Sequence, residues 1–265
     1  MAREERRPGS LHAARISRQQ RAGGAALLIA TLLICAPAAA QTFDFDPTIT
    51  QSEFDRITLL AAEAIFASPV DAPAQTGLFN FEIGVAATAI EVDESESYWV
   101  KSVTDDILVD GRLLVPRIVV IKGLGIASVS ASYGTVGDSD AHVLGGSIDL
   151  PLIRGSILRP AIALRGVYSV LQGVEEADLT TYGVQALIGK GFGPFTPFAG
   201  YGRMFAQGEA RIESGFTDPI VLESDLEQDF LTLGGKLDLA FIKLVVEGNR
   251  GDEEWRWGAR VALGF

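Results

Sequence analysis

The chain has 265 residues, with 22 Lys and Arg against 34 Asp and Glu and a net charge of −12. Nucleic acid is excluded as a partner, because its phosphates need a basic surface. The only cysteine, Cys35, and two histidines, His12 and His142, exclude a disulfide framework and a cysteine metal site, and leave little room for a histidine one.

Residues 3–21 hold six arginines and two glutamates, and the apolar run AALLIATLLICA follows at 25–36, ending in Pro37-Ala38-Ala39-Ala40. A basic start, an apolar stretch of about a dozen residues and an A-x-A site describe a secretory signal peptide. The run falls short of the ~20 residues of a spanning helix. Residues 1–40 are therefore expected to be removed, with cleavage near Ala40. Without those six arginines and two glutamates, 16 basic and 32 acidic residues remain, and no cysteine. Export without cysteine fits the bacterial envelope better than a disulfide-stapled secreted domain.

Residues 41–76 do not alternate. Thr50-Gln51-Ser52-Glu53 reads as a capping box. Phe54, Ile57, Ala61, Ala64 and Ile65 recur at helical spacing, which predicts a helix over about 51–67, ended before Pro69. A periplasmic cap or packing helix followed by a linker is the plain expectation. A plug in a barrel mouth and a partner-binding helix are the alternatives.

From 77 onward the chain alternates with period two. At the C-terminus Trp255, Trp257, Ala259, Val261, Leu263 and Phe265 oppose Glu254, Arg256, Gly258, Arg260, Ala262 and Gly264. Strict alternation places one face in lipid or core and the other in a polar setting. Ten strands are predicted, at roughly 77–91, 113–122, 125–134, 141–150, 158–171, 179–191, 194–210, 228–240, 241–250 and 254–265. Most exceed the five or six residues of a globular strand and match the 9–11 of a tilted membrane strand plus overhang. Two are less clean: 113–122 is apolar on both faces except Arg117, and 194–210 mixes Tyr201 and Arg203 with Phe205.

Short connections alternate with long ones. The long side, counted as 91–112, 135–140, 172–178, 209–229 and 249–254, carries 22 acidic and 4 basic residues, whereas the short turns carry Lys122, Arg154, Lys190 and Lys243. Short periplasmic turns and long outer loops are the pattern of an outer-membrane barrel. On these residues, and on the terminal strand with Trp255, Trp257 and Phe265, the chain resembles Gram-negative outer-membrane β-barrel proteins over about 77–265. The resemblance implies an all-β fold, an antiparallel transmembrane β-barrel of about 10 strands (8–12), preceded by a short N-terminal helix. It also implies that Trp255, Trp257 and Phe265 form a C-terminal signal for the barrel assembly machinery. Outer-membrane lipid and lipopolysaccharide are the implied surroundings. A soluble β-sandwich is the competing reading, and its strands would be shorter.

Parity predicts that Glu82, Arg117, Arg165, Arg203, Lys236, Glu247, Arg256 and Arg260 line the lumen, with Asp149, Arg159, Asp238 and Lys243 beside them. Such charges form a salt-bridged core or line a water path. Ten strands stand close to the eight whose interior side chains just fill. The functional expectation is a narrow, passive, porin-like channel with a small or largely plugged lumen, or alternatively a structural or surface-interaction barrel. A gated transporter of hydrophobic molecules is more remote, since no apolar pocket is visible in the sequence. No catalytic residue, resident metal or cofactor is expected. His142 faces outward by parity beside Asp138 and Asp140. Weak binding of divalent cations at acidic loop runs such as Asp93-Glu94 and Glu175-Glu176 is a further expectation.

Overall fold

The computed structural model describes residues 45–73, 77–103, 108–136, 141–156, 158–174, 177–212, 219–251 and 255–265. The signal sequence read at 1–40, together with Asp138, Asp140 and Glu175-Glu176, lies outside them. The elements run α1 (Gln51–Ile65), β1 (Phe81–Glu91), α2 (Ser97–Val100), β2 (Leu108–Val109), β3 (Arg112–Gly123), β4 (Ser128–Thr135), β5 (His142–Ile153), β6 (Ala161–Gln172), β7 (Ala177–Gly189), β8 (Phe195–Ile212), β9 (Ile220–Leu239), β10 (Ile242–Arg250) and β11 (Trp255–Gly264).

Consecutive long strands pair antiparallel, and β1 pairs with both β3 and β11. Ten strands thus close on themselves, and the expected barrel of about ten strands is the observed one. Closure satisfies every ladder group internally, as a sheet in lipid requires. Phe265 completes the seam: its N–H donates to Phe81 O at 2.9 Å, and the Phe81 N–H returns to Phe265 O at 3.1 Å. The two-residue β2 was not predicted. It turns into β3 through Asp110-Gly111, both at positive φ (52° and 70°), the tight-hairpin geometry that an Asp-Gly pair favours.

The outer face is apolar between two aromatic rings. Phe79, Phe81, Phe192, Phe195, Phe241 and Phe265 are exposed at the short-turn end, and Tyr133, Tyr168, Tyr182, Tyr201 and Trp257 nearer the long loops. Eight to ten residues separate the rings along β1 and β7, and six along β8. At about 3.4 Å per residue and a tilt near 40° this gives roughly 16–26 Å, up to the height of a lipid-facing band flanked by aromatic girdles. The molecule is a transmembrane β-barrel.

Two differences lie at or above the loop-side girdle. β9 begins at Ile220, eight residues before the expected start, because β8 and β9 pair as far as Arg211↔Val221 and Ile212↔Ile220. There Glu223, Asp225 and Glu227 point outward into water, so the apolar signature of a lipid face is missing. Arg203 was expected in the lumen, but it lies on the outer face. Its guanidinium meets Asp229 at 2.6 Å and Glu227 at 3.5 Å, and the inward positions of β8 are Gly202, Met204 and Ala206. Arg159, also assigned to the interior, is exposed in the turn before β6.

Candidate functional site

The site is the lumen and the chain that fills it. α1 forms as the sequence predicts: Thr50 caps it, with its side chain accepting from Glu53 N and the Glu53 carboxylate accepting from Thr50 N at 2.8 Å. Its placement differs from the expectation of a periplasmic cap. The helix lies inside the barrel at the long-loop end, in contact with β1, β3, β6, β7, β8 and β9. Phe54, Ile57, Leu60, Ile65 and Phe66 share one buried cluster with Ile90, Leu113, Val115, Val143, Leu171, Leu179 and Phe230 of the wall. Each such side chain contributes about 1.5–3 kcal/mol of burial.

Beyond Ile65 the chain runs on toward the short-turn end. Two glycines show how closely it approaches the wall. A Cβ on Gly208 would stand 2.7 Å from Thr58, and one on Gly145 only 2.1 Å from the Cβ of Ala67. The wall is thinned where the plug passes. Val70 sits at φ 48°, a region that a β-branched residue occupies only under constraint. Its carbonyl accepts from Arg260 Nε at 2.9 Å.

Arg260 is one of four lumen arginines that grip the plug backbone. Arg256 donates to Glu63 O at 2.9 Å, Arg117 to Phe66 O at 3.2 Å and Arg165 to Asp71 O at 3.0 Å. Ser169 Oγ accepts from Ala67 N at 2.9 Å. An extended segment inside a barrel has no ladder of its own, and buried carbonyls need donors. Long, forked, permanently charged arginines supply them from the wall. The Arg256 guanidinium also lies 5.2 Å from the centroid of Phe66 and 5.7 Å from that of Phe230.

Below this grip the lumen is ionic. Arg165 binds Asp149 through two bonds of 2.7 and 2.8 Å. The Asp71 carboxylate receives Lys236 at 2.9 Å and Arg260 at 2.8 Å, and Glu82 receives Arg260 at 3.0 Å and Lys243 at 2.6 Å. Of the eight residues expected to line the lumen, Glu82, Arg117, Arg165, Lys236, Glu247, Arg256 and Arg260 are buried or nearly so inside it, and Arg203 is outside. Asp71, the plug's own contribution to the network, was missed, because the sequence reads 68–76 as a linker. The available signal was a single carboxylate between Pro69 and Pro73 in an otherwise apolar stretch.

At the loop mouth Lys101 Nζ lies 2.9 Å from Glu53, and the Asp46 N–H donates to Lys101 O at 2.8 Å. The ammonium, followed by the Thr50 N–H, holds the Glu53 carboxyl down at about 2 from an ordinary 4.5. His142, facing outward, lies beside Tyr133 with ring centroids 5.9 Å apart. Among the described residues no group of three or more His, Asp or Glu side chains converges on a metal-sized site.

No protein-family model matches the chain, and no curated protein matches it. Solved structures do. The N-terminal β-barrel domain of Pseudomonas aeruginosa OprF matches 72% of this chain and 100% of its own length, at 15% identity and TM-score 0.33. The translocator domain of the autotransporter NalP from Neisseria meningitidis matches 81% and 96%, at 11% identity and TM-score 0.32. The Ralstonia pickettii toluene transporter TbuX matches 73% and 92%, at 10% identity and TM-score 0.31. These are outer-membrane barrels with different roles, and the likeness extends to the type of fold alone.

Proposed function

We propose that this protein is an outer-membrane β-barrel held shut by its own N-terminal segment, and that it is not a standing open pore. The observation that carries the reading is the arginine grip: four wall guanidiniums donate to the plug carbonyls at 63, 66, 70 and 71. This favours a structural or surface-interaction barrel, or a channel that opens only when the plug moves, over a constitutive porin. Removal of residues 1–40 near Ala40, assembly through Phe265, and contact of the acidic loops with lipopolysaccharide and divalent cations belong to the same reading.

Planar-bilayer recording tests it. The mature chain should give little or no stepwise current. A chain lacking residues 45–73 should conduct, with preference for anions. Its freed lumen carries Arg117, Arg165, Lys236, Lys243, Arg256 and Arg260 against Glu82, Asp149, Asp238 and Glu247, and fixed charges favour counter-ions. Equal conductance of the two chains would establish an open narrow channel instead.

A further inference from the structure

Three polar anchors tie α1 to one arc of the wall: Gln51 Nε2 donates to Glu223 O at 2.8 Å, Ser224 Oγ to Asp55 at 2.8 Å, and Arg256 to Glu63 O at 2.9 Å. Those partners lie on β9 and β11, and Gly208 lets the helix close up against β8. Between α1 and the wall of β3, β6 and β7, reaching Val136 just past β4 and Gly208 of β8, a cavity of about 70 Å³ remains.

We propose that this cavity is a binding site for a small uncharged apolar molecule, a monocyclic aromatic or short alkyl compound. Of its 17 lining residues only Thr58 and Asp178 are polar, and none is Lys, Arg or His. The helix contributes Phe54, Ile57 and Ala61, and the wall contributes Leu113, Leu171 and Leu179. A cavity so lined has too few polar partners to hold water and takes apolar guests instead. A guest restores the dispersion contacts that the facing side chains lack. A carboxylate would be desolvated there with no cation to meet it, which excludes fatty acids and benzoate. The cavity is about half the ~150 Å³ that encloses a benzene ring, so a single-ring guest sits with part of itself in the cavity and the rest projecting into the mouth. The walls stand complete with the plug seated, so binding is independent of whether the barrel conducts.

Trp99 lines the cavity and reports on it. The chain has three tryptophans, so Trp255→Phe with Trp257→Phe leaves Trp99 alone. This mature protein, in lipid nanodiscs, is titrated with iodobenzene. Quenching of Trp99 emission should saturate, should be reversed by benzene and should be unaffected by benzoate. Ala61→Phe, filling the space from the helix, should weaken the saturable phase at least tenfold. Val174→Phe, filling it from the wall, should do the same and decides the matter if the first variant does not fold, as read by heat-modifiable migration on gels. Quenching that rises linearly with iodobenzene and is unchanged in the folded filling variants would mean simple partition into lipid and overturn the site. Equal competition by benzoate would overturn its apolar character.

Discussion

Asp71 of the plug and Arg260 of β11 meet at 2.8 Å inside the lumen, and the same guanidinium binds Glu82 at 3.0 Å and, through Nε, the carbonyl of Val70. One side chain thus ties the plug's carboxylate, the plug's backbone and the first strand of the barrel to the last. Lys236 shares Asp71, and Lys243 shares Glu82.

Removing Asp71 should release the plug. Asp71→Ala leaves Arg260 and Lys236 facing each other with one carboxylate fewer, and breaking a buried pair in this way costs about 3–5 kcal/mol. Charged to the seated state, that is about two to four powers of ten in the seated-to-released ratio. Bilayer recordings of Asp71→Ala should show stepwise current that the parent lacks, with the barrel still heat-modifiable. A silent, folded Asp71→Ala would mean that the backbone grip alone keeps the lumen closed.

Close approach gives a second route to the same state. A Cβ at Gly145 would stand 2.1 Å from that of Ala67 and 2.9 Å from Ser132 Oγ, so Gly145→Val cannot coexist with the plug as seated. The ladder of β5 with β4 and β6 is untouched, and a β-branched residue suits a strand. The expected result is a folded barrel whose residues 45–73 are cut by added protease, where the parent resists. Equal resistance would place the plug's hold elsewhere.

Acid should loosen the loop end first. Glu53 has its carboxyl depressed to about 2, chiefly by Lys101 and then by the Thr50 N–H, from 4.5. Its contribution is full above pH 4.5 and is lost as pH falls through about 2. Trp99 emission should therefore change between those values, and Lys101→Met should move the change upward toward 4.5. A change that ignores Lys101→Met would assign the transition to other carboxylates.

Much of the barrel was legible because lipid imposes a simple rule: residues such as Val184, Leu231 and Trp257 must be apolar on alternate positions. The rule failed where its cause is absent. Arg203 stands level with the loop-side aromatic ring, between Tyr201 and Phe205, with its charge paired to Asp229 and Glu227, and the first half of β9 stands above the ring, where the outer face is wet. The plug was harder to place. Its capping box fixes the helix but not its location, since a helix buried by a barrel wall and one packed on a soluble cap share the same apolar residues. The clue lay in the strands. Residues 113–122 are apolar on both faces because lipid covers Leu114 and Ile118, while the lumen side buries Leu113, Val115 and Val119, the first two against α1. Small inward residues such as Gly145, Gly183 and Gly208 point the same way.

Phe265 carries the last prediction. Its side chain is exposed and joins the short-turn ring, while its backbone makes both seam bonds with Phe81. Deletion removes an aromatic anchor and two closing hydrogen bonds together, whereas Phe265→Ala removes only the ring. If the residue acts as an assembly signal, both variants should reach the outer membrane in reduced amount, and each should still refold in detergent when purified. If it acts only through the seam, Phe265→Ala should assemble normally and the deletion alone should fail, in the cell and in detergent alike. Quantifying heat-modifiable barrel in outer-membrane fractions and in detergent refolding separates the two. Normal assembly of both variants would show that the terminal residue is dispensable and that Trp255 and Trp257, stacked 5.5 Å apart on the outer face, carry the recognition.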